Sequence, residues 1–233
     1  RKSSSPFLLG NNLQFQERLK SFVLRKGRLT ANQKEALSNF KDKYLIDDSF
    51  ELDTLRTNKV IALDIGFGSG ETTIHLARSS PEITVLGAEV YLSGIGTVLS
   101  KASLEGLENI KILHGDVLPF LEDRVPDEFF DLVVMLYPDP WPKRKHHKRR
   151  LIKEDFLSLI HQKLKKDSIF YFKTDWEHYY QETQKAVSKN LWQEIKRENL
   201  PAEIANFPAT SFERKAQKAN RLSNELILKK LSK

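Results

Sequence analysis

The chain alternates short apolar segments with amphipathic ones, and this alternation restricts its fold more than any other feature of the sequence. The apolar segments have the length and β-branched content of buried strands: KVIALDI, ITVLGAEV, IKILHGD, DLVVMLY and SIFYFKTD. Helical patterns follow most of them: TTIHLARSS, GIGTVLSKASLEG, KEDFLSLIHQKL and EHYYQETQKAVSK. Such alternation is typical of a sheet that helices cover on both faces. It predicts an α/β fold with a doubly wound, mostly parallel sheet, to which NELILKKL can add a last, antiparallel strand.

The residues before 58 are polar and lack this alternation. LTANQKEALSNFKDKYL reads as a helix whose first turn is closed by a capping box of Thr30 and Gln33. A chain of 233 residues is long enough for one large domain, or for one domain with an extension. We therefore predict a basic N-terminal extension with a helix at 1–57 and a domain at 58–233.

The charge balance indicates an anionic partner. The formal net charge is +7 and the isoelectric point is near 9.4, which favours nucleic acid first and an acidic membrane second; a merely basic enzyme is the alternative. No apolar stretch is long enough to span a bilayer, and RKSSSPFLLGNN is a poor signal peptide. The absence of cysteine excludes disulfides and thiolate metal sites, and it fits a cytoplasmic location.

A glycine-rich turn, IGFGSGE, ends the first predicted strand and places Gly66, Gly68 and Gly70 where the backbone must turn sharply. The dinucleotide pattern G-x-G-x-x-G would need a small residue at Glu71, which disfavours a nicotinamide oxidoreductase. The observed G-x-G-x-G, with Asp64 two residues earlier, resembles the S-adenosylmethionine loop of class I methyltransferases. That ligand carries an ammonium, which Asp64 can stabilise.

Two more carboxylates follow the second and third predicted strands. Glu89 lies 19 residues after Gly70 and can accept hydrogen bonds from both ribose hydroxyls of such a cofactor. Asp116 can accept from the adenine amino group. Each of these acids can instead cap the helix that follows it. Together with Asp64 they stand at the ends of three successive strands around one glycine turn, which favours cofactor binding over capping.

The segment YPDPWPKRKHHKRR follows the fourth strand and joins three prolines, an aspartate and a tryptophan to a basic run. The prolines end the sheet and hold Asp139 on a stiff segment, where strand ends commonly carry catalytic groups. Trp141 can stack on an exposed RNA base, or it can be a core or hinge residue. The run from Lys143 to Arg150 cannot be core and predicts a phosphate-binding surface, with a solvated loop as the alternative. His146 and His147 lack further obvious ligands, and we reject a metal site.

These motifs together closely resemble the bacterial tRNA (guanine-N7-)-methyltransferase family over most of the chain. They recur in the family's order: SFVLRKGRLT, LDIGFGSG, GAEVY with GIG, HGD, YPDPWPKRKHHKRRL, TDW and T-S-F-E. PDPW followed by the basic run is the most specific of them. The resemblance implies a Rossmann-like fold and methyl transfer from S-adenosylmethionine to N7 of guanine 46 in the tRNA variable loop, with S-adenosylhomocysteine as product. It implies tRNA as partner, no metal, no membrane, no obligate protein partner, and a monomer or homodimer in the cytoplasm.

The resemblance also assigns roles to individual residues, with catalysis at Asp139. The cofactor positions that it implies are Asp64, Gly66, Gly68, Gly70, Glu89, Asp116 and Asp139. Its substrate-binding positions are Lys143, Asp175, Thr210, Ser211, Phe212 and Glu213. We assign the RNA phosphate patch to Arg25, Lys26, Arg28, Arg144, Lys145, Lys148, Arg149 and Arg150.

The chain departs from the family pattern at two positions. The first acidic position is often Glu in relatives and is Asp64 here, and Asn220 stands near a position where relatives usually carry glycine. The second departure weakens the assignment of segment 210–213. That segment has an alternative function, because T-x-x-E is itself a capping box. Asp175 can likewise cap the helix that begins near Glu177.

Two rival functions stay open on the sequence alone. The first is a class I methyltransferase that acts on another RNA atom or on protein, although amine methylation more usually carries a shorter N/D-P-P-aromatic signature. The second is a noncatalytic RNA-binding protein with a dead cofactor pocket, which the intact acidic positions oppose. Asp139 can contact the guanine edge or shape the cofactor pocket.

Overall fold

The computed structural model describes residues 20–23 and 27–231, and it confirms the predicted α/β class. Within these residues eight strands form one sheet, and helices cover both of its faces. The strands are β1 (Leu45–Ile46), β2 (Val60–Ile65), β3 (Ile83–Glu89), β4 (Ile110–His114), β5 (Phe130–Leu136), β6 (Leu164–Thr174), β7 (Trp192–Glu194) and β8 (Asn224–Lys230). The α-helices are α1 (Ala31–Tyr44), α2 (Glu71–Ser79), α3 (Leu92–Leu104), α4 (Val117–Asp123), α5 (Glu154–Lys163), α6 (Glu177–Ala186), α7 (Ala202–Ala205) and α8 (Ser211–Lys218).

The strand order creates a topological switch point at the centre of the sheet. The order is β1-β4-β3-β2-β5-β6-β8-β7. β8 pairs antiparallel with both of its neighbours, as predicted for NELILKKL, and the other pairs are parallel. From β2 the chain builds outward to β3 and β4, and it then returns to β5 on the other side of β2. The loops after β2 and β5 therefore diverge, and doubly wound sheets bind their ligands in the crevice between such loops.

The predicted N-terminal helix belongs to this core. Its capping box is confirmed, because Gln33 N–H donates to Thr30 Oγ1 over 3.2 Å and Thr30 N–H donates to Gln33 Oε1 over 3.0 Å. α1 packs on α3 where Gly96 permits it: a Cβ at Gly96 would lie 2.9 Å from the Gln33 carbonyl oxygen. β1 pairs with β4, Leu45 beside Ile112. The boundary at residue 58 stays a prediction, but residues 31–46 share the core of the domain.

The central strands are buried on both faces. All seven residues of β3 are buried, and so are all residues of β2 except Val60, as expected for parallel strands between two helical layers. α1, α2 and α3 pack on one face, and α4, α5 and α6 pack on the other. This rigid centre anchors the loops that border the crevice. None of the helices in the described residues combines the length and the hydropathy needed to cross a bilayer.

Gly70, in the turn after β2, allows a test of how tightly that turn packs. It has a φ of 74°, and a Cβ there would lie 2.0 Å from Cγ2 of Val98 on α3. Gly106, the matched control, has a φ of 64° and open space around it. We expect Gly70→Ala to lower the free energy of unfolding by about 3 kcal/mol, from left-handed strain and overpacking, and Gly106→Ala by about 1 kcal/mol, from strain alone. Equal losses in urea unfolding would contradict this packing.

Candidate functional site

A cavity of about 360 Å³ opens at the switch point, between the loops after β2 and β5. Its volume is in the usual range for small-ligand sites. The predicted site residues that line it are Gly66, Gly68, Glu89, Asp116, Asp139, Ser211 and Phe212. The predicted cofactor and substrate residues outside its lining are Asp64, Gly70, Lys143, Asp175, Thr210 and Glu213. The fold therefore brings three of the four predicted cofactor carboxylates into one cavity.

The glycine turn is held in a conformation that other residues adopt only with strain. Gly66, Gly68 and Gly70 have φ values of 69°, 56° and 74°, which lie in the left-handed region that glycine enters without a Cβ penalty. Gly70 is the N-cap of α2. On the other side of the turn, a Cβ at Gly94 of α3 would lie 2.3 Å from the carbonyl oxygen of Gly68. The turn is thus enclosed by α2 and α3, and it exposes its backbone to the cavity.

Glu89 holds this turn from β3. One carboxylate oxygen accepts the Gly68 N–H over 2.9 Å, and the other accepts the N–H groups of Val90 and Tyr91 over 2.7 and 3.0 Å. Glu89 is 5% exposed, and this burial raises the pKa of its carboxyl, whereas the three N–H donors favour the ionised form. A carboxylate has about four lone-pair sites. Glu89 can therefore accept a further hydrogen bond from a ligand hydroxyl.

Asp64 lies beneath the turn rather than in the cavity lining. It is 2% exposed, and its Oδ2 accepts from the Thr73 hydroxyl of α2 over 2.7 Å. Burial raises the pKa of Asp64 to about 7, with smaller contributions from the charges of Glu89 and Glu71. A cationic ligand group at the turn would favour the ionised form. A direct contact between Asp64 and the cofactor stays a prediction.

Asp116 caps a helix and also lines the cavity, so its predicted cofactor contact stays a prediction. Its Oδ1 accepts the Leu118 N–H over 3.1 Å and caps α4, and the residue also lines the cavity. The cap fixes the carboxyl at the end of β4. An N-cap and a ligand contact are compatible, because a carboxylate offers two oxygens.

The segment after β5 carries Asp139 to the cavity on strained backbone. Tyr137 and Trp141, on either side of it, have φ values of 54° and 48°, which are uncommon for bulky residues. The Tyr137 hydroxyl donates to Ser223 Oγ over 2.8 Å, and the Trp141 indole N–H donates to the Ser21 carbonyl over 2.9 Å. Asp139 itself is exposed and lines the cavity. Its two aromatic neighbours therefore hold the backbone of Asp139 in place.

The contacts of Trp141 favour the hinge interpretation over base stacking. The guanidinium of Arg149 lies 5.0 Å over its ring, and the indole bond to Ser21 holds a segment whose next residue, Phe22, lines the cavity. The Tyr91 hydroxyl also donates to the Val23 carbonyl of this segment over 2.6 Å. Trp141 therefore links the segment after β5 to residues 20–23 beside the cavity.

Glu71 connects the glycine turn to α8. Its Oε1 accepts from the N–H of Ser211 over 3.1 Å and from the guanidinium of Arg214 over 2.9 Å. Phe212 packs over the turn, since a Cβ at Gly68 would lie 3.0 Å from its ring. Our sequence interpretation used Glu71 only to exclude a dinucleotide fold, and its role in the site was missed. No local pattern signals a bond between residues so far apart in the chain.

The predicted capping motif at 210–213 is half formed. Thr210 caps α8, because its Oγ1 accepts the Glu213 N–H over 3.1 Å. The Glu213 carboxylate turns instead to Lys173 of β6, with 2.5 Å between the charged atoms. The motif therefore both starts α8 and fixes it to the sheet.

Asp175 does not cap α6, which was its alternative role. The N-cap is Trp176, and Asp175 accepts from Arg221 Nε over 2.6 Å. Asn220, where relatives usually carry glycine, has a φ of 52°. Glycine adopts this left-handed conformation without steric strain, and asparagine adopts it more easily than most residues do. The departure at Asn220 is therefore compatible with a backbone that glycine would favour.

The basic run forms a 3-10 helical turn at Arg144–Arg149, and the buried Arg150 that follows it corrects our assignment. Arg144, Lys145 and Lys148 are exposed, together with Lys143. Arg150 is 3% exposed, so it cannot belong to a phosphate-binding surface. Its Nε donates to the Pro140 carbonyl over 2.8 Å, its Nη1 contacts Glu182 and His178, and its guanidinium lies 4.8 Å over the Tyr179 ring. The groups that contact this buried guanidinium come from other segments of the chain and reach it only in the folded protein. Arg28 is exposed, and Arg25 and Lys26 lie outside the described residues.

His147 has companions that the sequence did not indicate. His147, His178 and Glu182 place one potential ligand atom each within 4.8 Å of one another, so the reason given for rejecting a metal was wrong for this histidine. The Arg150 guanidinium, however, already contacts His178 Nδ1 over 2.9 Å and donates to Glu182. A divalent cation would have to displace this positive charge, which disfavours a metal at the cluster. The absence of a metal stays a prediction.

Comparisons with known proteins agree with this geometry. A family model described as "Putative methyltransferase" matches residues 58–226, most of the chain. The chain is similar to proteins named tRNA (guanine-N(7)-)-methyltransferase. It is 38% identical over 209 residues to that of Nitrosococcus oceani, covering 87% of each chain. It is 33% identical over 214 residues to that of Yersinia enterocolitica, covering 89% of each chain.

Solved structures share the fold at low sequence identity. The 16S rRNA methyltransferase KamB has a TM-score of 0.55 and 17% identity, over 81% of this chain and 95% of that one. An rRNA methylase from Streptococcus thermophilus has a TM-score of 0.51 and 16% identity, over 78% and 94%. These similarities support the class I methyltransferase fold and carry no information about the substrate.

The buried Asp64 predicts a pH dependence of stability. Its pKa of about 7 in the folded state exceeds the unfolded value near 4. The folded state therefore binds more protons between these values, and the contribution of Asp64 to stability is lost as the pH rises through 7. Asp64→Asn lacks this ionisation. We expect the stability of the wild type relative to Asp64→Asn to fall by about 3 kcal/mol between pH 4.5 and pH 8 in urea unfolding; a constant difference would contradict the assignment.

Proposed function

The chain belongs to the bacterial tRNA (guanine-N(7)-)-methyltransferase family, and on that premise we propose that it methylates N7 of a guanine in the tRNA variable loop with S-adenosylmethionine as donor. The observation that carries the proposal is the cavity at the switch point. It combines a left-handed glycine turn with Glu89, Asp116 and Asp139 at the ends of β3, β4 and β5. S-adenosylhomocysteine would be the product that leaves this cavity.

The residues of the cavity fit this donor. Glu89 has acceptor capacity beyond its three backbone donors, which suits ribose hydroxyls. Asp116 is held at the end of β4 and suits the adenine amino group. Asp64, with its raised pKa, would lie beneath a ligand ammonium at the glycine turn. When bound, S-adenosylmethionine supplies an electrophilic methyl group on a sulfonium.

The acceptor needs alignment more than activation. Guanine N7 has an in-plane lone pair and no proton, so the protein needs no general base to make it nucleophilic. It must orient the base and stabilise the positive charge that develops on the ring. Asp139 can do both, because it is exposed at the cavity on a backbone that Tyr137 and Trp141 hold. A carboxylate there can accept from guanine N1–H and from the exocyclic amine.

The exposed turn of the basic run supplies a surface for the RNA backbone. Arg144, Lys145 and Lys148 lie within ten residues of Asp139 in the chain, and all three are exposed. Arg149 is partly committed to Trp141 and to the Lys20 carbonyl. Lys143, at the start of this turn, stays a predicted substrate contact. The same residues would thus bring a polyanion to the carboxylate that acts on its base.

The identity of the modified nucleoside tests the proposal. We expect labelled methyl from S-adenosylmethionine to enter an unmodified tRNA transcript as 7-methylguanosine, identified by mass after digestion. The control is a transcript in which adenine replaces the variable-loop guanine, and it should take up no label. Label on another nucleoside would overturn the substrate assignment, and binding of donor without transfer would favour a noncatalytic RNA-binding role.

In the same assay Asp139→Ala should lower kcat about 100-fold or more, because it removes a group that acts in the transition state. Its affinity for S-adenosylhomocysteine, measured by calorimetry, should stay within a few fold of the wild type. Near-normal turnover would remove Asp139 from catalysis.

Salt dependence tests the RNA surface. Replacing Arg144, Lys145 and Lys148 by Ser should weaken tRNA binding and flatten the slope of log affinity against log salt by about 2, from roughly 0.7 per phosphate contact. A matched control replaces Lys59, Lys166 and Lys189, exposed lysines at or near the amino ends of β2, β6 and β7, whereas Asp139 follows the carboxyl end of β5. The control should leave the slope unchanged. Equal effects of both triple variants would place the RNA elsewhere.

A further inference from the structure

The charged side chains in the described lining of the cavity are acidic, with a single exception. Glu89, Asp116 and Asp139 contribute carboxylates, and Lys215 is the one lysine or arginine among the lining residues that the structure describes. Three carboxylates suit a ligand that is rich in hydrogen-bond donors and positive charge. One cation among them suits a ligand that also carries a single anionic group.

Lys215 lies at the glycine end of the cavity. It is four residues after Ser211 on α8, so the two side chains share one face of the helix. Ser211 is bonded to Glu71 at the start of α2, and Phe212 packs over Gly68. The ammonium of Lys215 lies 5.2 Å over the Phe212 ring, within the range of a cation–π contact. The Lys215 ammonium therefore lies next to the ring that packs over Gly68.

Lys215 is not needed to hold the turn itself. That task belongs to Lys101 of α3, whose ammonium donates to the Ser69 carbonyl over 3.1 Å and which is absent from the described cavity lining. Nor does Lys215 take part in the two ion pairs that fix α8, since Arg214 pairs with Glu71 and Glu213 pairs with Lys173. The described contacts that fix the glycine turn and α8 therefore do not use the Lys215 ammonium.

We propose that Lys215 binds the carboxylate of the amino acid portion of S-adenosylmethionine. This inference rests on the proposed donor. The acids at the ends of β3 and β4 take the nucleoside, which leaves the glycine turn after β2 to the amino acid portion. Its carboxylate is the one negative charge of the donor, and an ammonium forms a charge-assisted hydrogen bond with it. Lys215 thus joins the donor to α8, whose first residues are predicted to bind the substrate.

A ligand that lacks only the carboxylate gives a direct test. Binding of S-adenosylmethionine and of decarboxylated S-adenosylmethionine is measured by calorimetry, without tRNA, on the full chain. The wild type should bind the complete donor about tenfold more tightly, as expected for one hydrogen bond between charged groups. In Lys215→Met the two affinities should agree within about twofold, because only the complete donor loses its partner. Lys218→Met, which removes an exposed cation one turn further along α8, should keep the tenfold preference.

Several results would overturn the proposal. An equal loss of affinity for both ligands in Lys215→Met would show that Lys215 acts through the fold. An unchanged preference, with weaker tRNA binding, would make Lys215 a phosphate contact. If the wild type bound neither ligand, the donor assignment would fail together with the role of Lys215, whereas a failure confined to the variant comparison leaves the proposed function intact.

Discussion

The left-handed turn between β2 and α2 is the constraint on which the rest of the site depends. Its glycines let the backbone reverse against α3, where a Cβ at Gly94 would meet the Gly68 carbonyl oxygen at 2.3 Å. Because the turn packs so closely, the N–H of Gly68 reaches the Glu89 carboxylate on β3. Glu71 then begins α2 within reach of α8. A side chain that opened this turn would separate the acids of the sheet from the helix that covers the cavity.

The carboxylates of the site lie at different depths, and their depth matches what each is proposed to do. Asp64 is buried against Thr73, and burial raises its pKa to about 7, so a cation at the turn would favour its ionised form. Glu89 is buried with three N–H donors, so it is both a structural brace and an acceptor of fixed direction. Asp139 is exposed and is held by its neighbours rather than by burial. A group that must meet a large incoming RNA has to stay accessible, whereas groups that meet a small cofactor can be enclosed.

The sequence alone was sufficient to predict the sheet and those cavity residues that belong to local sequence patterns. Strand periodicity predicted the fold, and the glycine turn and the acids at strand ends predicted much of the cavity lining. Each of these features can be recognised from residues that are close together in the sequence. Contacts between distant segments were beyond such patterns. Arg150 was counted with the exposed cations, since nothing in the basic run distinguishes a guanidinium that α6 will enclose. Glu71 was compared only with the dinucleotide motif. Asp175 was predicted to bind the substrate, with a helix cap as the alternative, and no local pattern signals its bond to Arg221.

Those long-range contacts share one consequence, which is that α8 and the loop after it connect the glycine turn to the ends of β5 and β6. α8 is tied to the glycine turn through Glu71 and to β6 through Glu213. The loop after α8 is tied to Asp175 at the end of β6, and the Tyr137 hydroxyl reaches Ser223 in the same loop. A nucleophile that needs no deprotonation leaves alignment as the main barrier that a protein can lower. Under the proposed function, helix α8 would contribute to the reaction by holding the turn proposed to receive the donor at a fixed position relative to the strand ends proposed to receive the base.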